Sequence, residues 1–117
     1  MEYNADNVFA KILRKEIKTD FIYEDDYAVA FHDINPKAKV HVLVISKAML
    51  VNFSDFISHS SDEEIAGYMR AIQHVVGLLK LEEKGYRIVF NTNENGGQEV
   101  PHLHAHILGG EKLKTSL

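Results

Sequence analysis

The sequence predicts an α+β fold, with about five mainly antiparallel strands and helices packed on one side of the sheet, on three observations. Short runs of β-branched and aromatic residues recur between polar turns. One stretch after Ser61 carries apolar residues at helical spacing. Residues 102–107 alternate strictly between histidine and a small or apolar residue, the period of a strand.

Taken in order, Asp6 or Asn7 can cap a short helix whose Phe9, Ile12 and Leu13 share one face. Phe21 to Glu24 and Tyr27 to Asp33 predict a hairpin around the acidic pair Asp25-Asp26, and Ile34-Asn35-Pro36-Lys37 ends it. Val40 to Ile45 is almost continuously apolar, as an interior strand requires, apart from His41. Val51 to Ile57 carries no clear period. Ser61 and Glu64 match a capping box, and Ile65, Met69, Ile72, Val76 and Leu79 then form one stripe down to a stop near Lys84-Gly85. That stripe fits core or a dimer seam. Tyr86 to Asn91 and Val100 to Leu108 predict two more strands, joined by the polar turn Thr92 to Gly97.

Composition narrows the function classes. A chain of 117 residues with 45% apolar content and no linker or repeat predicts one domain over 1–117. Its 13 basic and 17 acidic side chains are scattered, with a formal charge of −4, which argues against a general nucleic-acid grip. The absence of cysteine excludes disulfides, thiolate metal sites and cysteine nucleophiles. A polar beginning and no run near the roughly 20 apolar residues of a membrane span predict a cytoplasmic protein with no membrane partner.

On a strand, His102, His104 and His106 project from one face while Leu103, Ala105 and Ile107 enter the other. Two chemistries fit. Alternate residues lie about 6.7 Å apart, so two neighbouring imidazoles with His41 can bind one Zn²⁺, but three in a row spread over about 13 Å. No carboxylate or thiolate stands at matching spacing, so the sequence predicts neither metal nor cofactor. A neutral imidazole can instead attack phosphorus to form a covalent nucleotidyl-histidine. Gly96-Gly97-Gln98, just before the histidines, can turn N–H groups toward phosphate oxygens, although a β-turn explains a Gly-Gly pair equally well.

The segment Gly96-Gly97-Gln98-Glu99-Val100-Pro101-His102-Leu103-His104-Ala105-His106-Ile107-Leu108-Gly109-Gly110 closely resembles the signature of the histidine triad family. The Leu-Gly-Gly ending resembles its nucleotide-binding Hint branch, of bacterial type, as do Phe9 to Ile17, Phe31-His32-Asp33-Ile34 and His41 to Ile45. The resemblance implies a five-stranded sheet with one long and one short helix, extended across a homodimer. It implies hydrolysis of purine nucleoside 5′-phosphoramidates, releasing AMP or GMP. His104 would be the nucleophile, His102 and His106 would orient it and contact phosphate or leaving group, and His41 would complete the cluster. Asp33 would accept the ribose hydroxyls, and Phe9, Phe31 and Ile34, which would also be ordinary core residues, would hold the base. Asn91, Gly97, Gln98 and Glu99 would line the phosphate side.

Glu99 stands where many relatives have Ser, Pro101 where an aromatic is usual, and the tail Glu111 to Leu117 lacks an aromatic-rich ending. Three other functions remain open on the sequence: a nucleotide-binding regulatory or scaffold protein, a dinucleoside polyphosphate hydrolase, and a metal-dependent hydrolase.

Overall fold

Local polar signals set where the helices start. In the computed structural model, which describes residues 2–117, Asn7 caps α1 (Val8–Leu13) by accepting the Ala10 N–H at 2.9 Å. Ser61 and Glu64 form the reciprocal capping box of α3 (Asp62–Leu78). Between them Asn52 caps α2 (Phe53–His59), a third helix in the stretch whose sequence carries no clear period.

The strands are β1 (Tyr23–Glu24), β2 (Ala28–His32), β3 (Val40–Ser46), β4 (Tyr86–Val89) and β5 (His104–Gly109). They form one sheet in the order β1-β2-β3-β5-β4, with every neighbouring pair antiparallel. The hairpin turn is longer than two residues. Glu24 pairs with Val29, and the Asp25 carboxylate closes the connection by accepting the N–H groups of Tyr27 and Ala28.

Alternation along the strands builds two apolar layers. Ala28, Ala30, Val42, Val44, Ala105 and Ile107 face α3, where Tyr68, Ala71, Ile72, Val75 and Val76 are buried. Each fully buried Val or Ile there contributes on the order of 2 kcal/mol. The expected stripe is therefore shifted: Tyr68 goes inward, its hydroxyl donating to the Val44 carbonyl at 2.7 Å, and Met69 remains 40% exposed. On the opposite face, Val29, Phe31, Leu43 and Ile45 pack against Phe9 and Ile12 of α1. Helices thus cover both faces rather than one, because Val42 to Ile45 are apolar on both sides of the strand and each side needs a cover.

β5 begins at His104, not Val100. Pro101 has no N–H to give, the His102 N–H turns back to the Val100 carbonyl, and the Leu103 N–H goes to Leu50. α3 likewise ends at Leu78, with Lys80 in the left-handed region, well before Gly85.

Candidate functional site

Strand register gathers the imidazoles. His104 lies opposite Ile45 and His106 opposite Leu43, while His41 lies opposite Leu108, so His41, His104 and His106 share one sheet face. Asp33 joins them because its N–H donates to the His41 carbonyl at 2.9 Å, directly after β2. Val89 of β4 faces His106 from the other flank.

The hydrogen bonds assign each ring its proton. His104 Nδ1 lies 2.7 Å from the carbonyl oxygen of His102, which can only accept, so Nδ1 carries hydrogen and Nε2 keeps its lone pair. The Lys37 N–H donates to His41 Nδ1 at 3.0 Å, which places the His41 proton on Nε2. That Nε2 lies 2.9 Å from His106 Nδ1 and 3.3 Å from an Asp33 carboxylate oxygen. His106 therefore accepts on Nδ1 and keeps a donor N–H on Nε2. One ring offers a nucleophilic lone pair and its neighbour offers a hydrogen-bond donor.

Burial holds all four rings neutral near pH 7. It pushes His102 and His106 down to about 4, His106 also through the nearby imidazoles of His104 and His41. It lowers His104 and His41 as well, against the opposing pull of the Asp33 carboxylate.

A cavity of about 490 Å³ opens over this cluster. His104, His106, His41, Asp33, Asn91, Gly97 and Glu99 line it, together with Asn35, Lys37, Val89 and Leu108, which the sequence does not mark as site residues. His102 does not reach it, being fully buried behind His104. Phe9 and Phe31 are buried in the layer beneath, with the Phe9 ring edge-on to His104 at 4.9 Å between centroids. Ile34 projects beside Asp33 and is 92% exposed. Gln98 lies outside the lining, because its side chain is spent within the loop: it donates to the carbonyls of Val51 and Val100 and accepts from Asn93 N–H.

The fold also supplies the carboxylate that sequence spacing does not. Asp33, His41 and His106 each present a ligand atom within 4.8 Å of the others, the one such group among the described residues. A metal ion on His41 Nε2 would have to drive that ring's proton onto Nδ1, against the Lys37 N–H already pointing there.

Tyr3 is the neighbour that no motif singles out: its hydroxyl lies 2.5 Å from His102 Nδ1. Its spacing of four residues from the cap Asn7, which donates to the same hydroxyl at 3.1 Å, is the one local signal.

Residues 14–113 match the family model described as the HIT domain. The chain is 47% identical over 111 residues to a 13.2 kDa HIT-like protein of Azospirillum brasilense, covering 95% of this chain and 91% of that one. It is 37% identical to the purine nucleoside phosphoramidase of Escherichia coli K12, covering 96% and 93%. Among solved structures, a HIT family hydrolase from Clostridium thermocellum superposes with a TM-score of 0.83 at 34% identity, covering 97% and 98% of the two chains. Among the described residues, no helix is long and apolar enough to cross a membrane.

Proposed function

The chain belongs to the HIT domain family, and on that premise we propose that it hydrolyses purine nucleoside 5′-phosphoramidates through a covalent nucleotidyl-histidine at His104. The observation that carries this reading is the His104 Nδ1–H bond to the His102 carbonyl, which leaves Nε2 as a lone pair in the cavity lining. Nε2 forms a bond to the α-phosphorus, and the P–N bond to the amine breaks. The amine departs with that electron pair and takes a proton from solvent. Positive charge on the His104 ring is stabilised by the carbonyl that holds its Nδ1–H. Water then attacks phosphorus and gives a proton back to solvent, the bond to Nε2 breaks with its electron pair returning to the nitrogen, and the nucleoside monophosphate leaves.

The remaining roles follow from chemistry and position. His106 Nε2–H donates to a phosphoryl oxygen, and His41 fixes the His106 ring from behind. Asp33 is the acceptor for ribose hydroxyls, one of its oxygens being already oriented by the Asn35 N–H at 2.8 Å. Ile34 offers the apolar surface for a purine, with Phe9 and Phe31 stiffening the wall beneath it. Asn91 and the Gly97 turn face the phosphate side.

The pairing of two subunits through β4 belongs to the same proposal. β4 is an edge strand, and Tyr86 on it meets Gln73 of α3 through its hydroxyl at 3.3 Å. Exposed Met69, one turn before Gln73, adds apolar surface on that side of the helix.

Hydrolysis of an adenosine 5′-phosphoramidate carrying a fluorescent amine tests the mechanism. Turnover by the wild type with and without chelator, lost in His104→Ala while AMP still binds, is the expected result. An inactive wild type, chelator-sensitive turnover or an active His104→Ala variant overturns it.

A further inference from the structure

We propose that Tyr3 is a positioning residue for the His104 nucleophile, acting through His102; this rests on the hydrolytic reading above. His102 has no face on the cavity, yet both of its ring nitrogens are engaged. Nε2 lies 2.7 Å from the Ser46 carbonyl oxygen, which can only accept, so the proton sits on Nε2 and the lone pair on Nδ1. The Tyr3 hydroxyl at 2.5 Å must therefore be the donor to Nδ1. Asn7 in turn donates to the Tyr3 oxygen and caps α1 through its own carbonyl oxygen.

The consequence runs through the backbone of residue 102. Its ring is gripped at one nitrogen by the end of β3 and at the other by the segment before α1. Its carbonyl, just ahead of β5, accepts the His104 Nδ1–H. That one bond decides which nitrogen of His104 is nucleophilic: with the proton moved to Nε2, the lone pair would point into the protein. α1 adds a second hold, since Phe9 lies edge-on to both His102 and His104. Removing the Tyr3 hydroxyl leaves a buried Nδ1 without its donor, and the ring is then held at the Ser46 carbonyl alone and is free to tilt about that bond. The carbonyl that holds the nucleophile's tautomer then loses its anchor.

Tyr3→Phe keeps the ring and removes only the hydroxyl. On the fluorescent phosphoramidate, kcat should fall about tenfold while KM stays within about twofold, because orientation of the nucleophile and not substrate binding is lost. Nitrogen-15 spectra of the histidine rings should show the His102 Nδ1 resonance losing its hydrogen-bond shift and the His104 resonances moving toward a mixture of tautomers. Asn7→Asp is the second variant: it retains an oxygen to cap α1 but offers the Tyr3 hydroxyl a competing acceptor, and should give the same kcat loss and spectral change. Wild-type kcat and unmoved ring spectra in either folded variant overturn the proposal, as does a loss confined to KM. An inactive wild type defeats the hydrolytic reading by itself. The spectra still decide the Tyr3 clamp in that case, movement in Tyr3→Phe sustaining it and constancy ending it.

Discussion

Gly96 sits so close to Thr92 that a Cβ on it would lie 2.5 Å from the Thr92 carbonyl oxygen and 2.7 Å from its nitrogen. The turn that leads into the histidine segment closes backbone to backbone, with no room for a side chain. Gly97 differs: its φ is +74° with open space around the missing Cβ, so only the left-handed conformation disfavours a larger residue there. Gly96→Ala should weaken AMP binding by about tenfold, because backbone cannot move aside cheaply, and Gly97→Ala should weaken it less. Calorimetric titration of both variants checks the order, and equal losses would contradict the steric account.

Acid should act on the histidines in two separate ways. The proposed mechanism needs the neutral His104 ring, whose titration burial moves below the ordinary imidazole value of 6.5. The rate should therefore be flat around neutrality and fall only on the acid side of that value. Stability follows from the same shifts. The unfolded chain takes up protons near 6.5 while folded His102 resists until about 4, so the unfolded state binds more protons across that window. This contribution is complete above pH 6.5 and is lost as pH falls toward 4, on the order of 3 kcal/mol for His102. Partly exposed His106 adds a smaller share. Urea midpoints at about pH 7.5 and about pH 4.5 measure it, and an unchanged midpoint would rule out burial as the source of the shift.

Glu99 is exposed and lines the cavity, where its negative charge faces the expected phosphate. Glu99→Gln should tighten AMP binding by about two- to fivefold at low salt, with the gain shrinking as ionic strength rises. Weaker binding in this variant would mean that the carboxylate serves the ligand rather than repelling it.

What the sequence made legible was whatever depended on local period or local hydrogen bonding. The alternation of His104 and His106 with Ala105 and Ile107 survives intact in β5, and Ser61 with Glu64 caps α3 as their spacing predicts. α2 was hidden because its seven residues bury only Phe56, too little to imprint a helical stripe. Met69 was misplaced since Tyr68, a residue type that spacing rules treat as ambivalent, takes the inward position by bonding to β3. The site divides in the same manner. The imidazoles are read from one strand, whereas the meeting of Asp33 with His41 and His106 depends on β2, β3 and β5 lying side by side in a particular register. The segment from Val100 to Leu103 departed from a strand because Pro101 and the Leu50 carbonyl redirect its backbone bonds, and spacing alone carries no sign of Leu50.

The hydrogen bond from Tyr3 to His102 joins residues 99 positions apart. A ribosome makes the donor well before its acceptor, so a nascent chain stopped anywhere between them carries no completed clamp. The contact is of high sequence separation and its closure waits for β3 and β5 to pair. Under the proposed mechanism, full competence to attack phosphorus is thereby tied to the finished molecule, and a chain that has made His104 but not yet closed the clamp reacts more slowly.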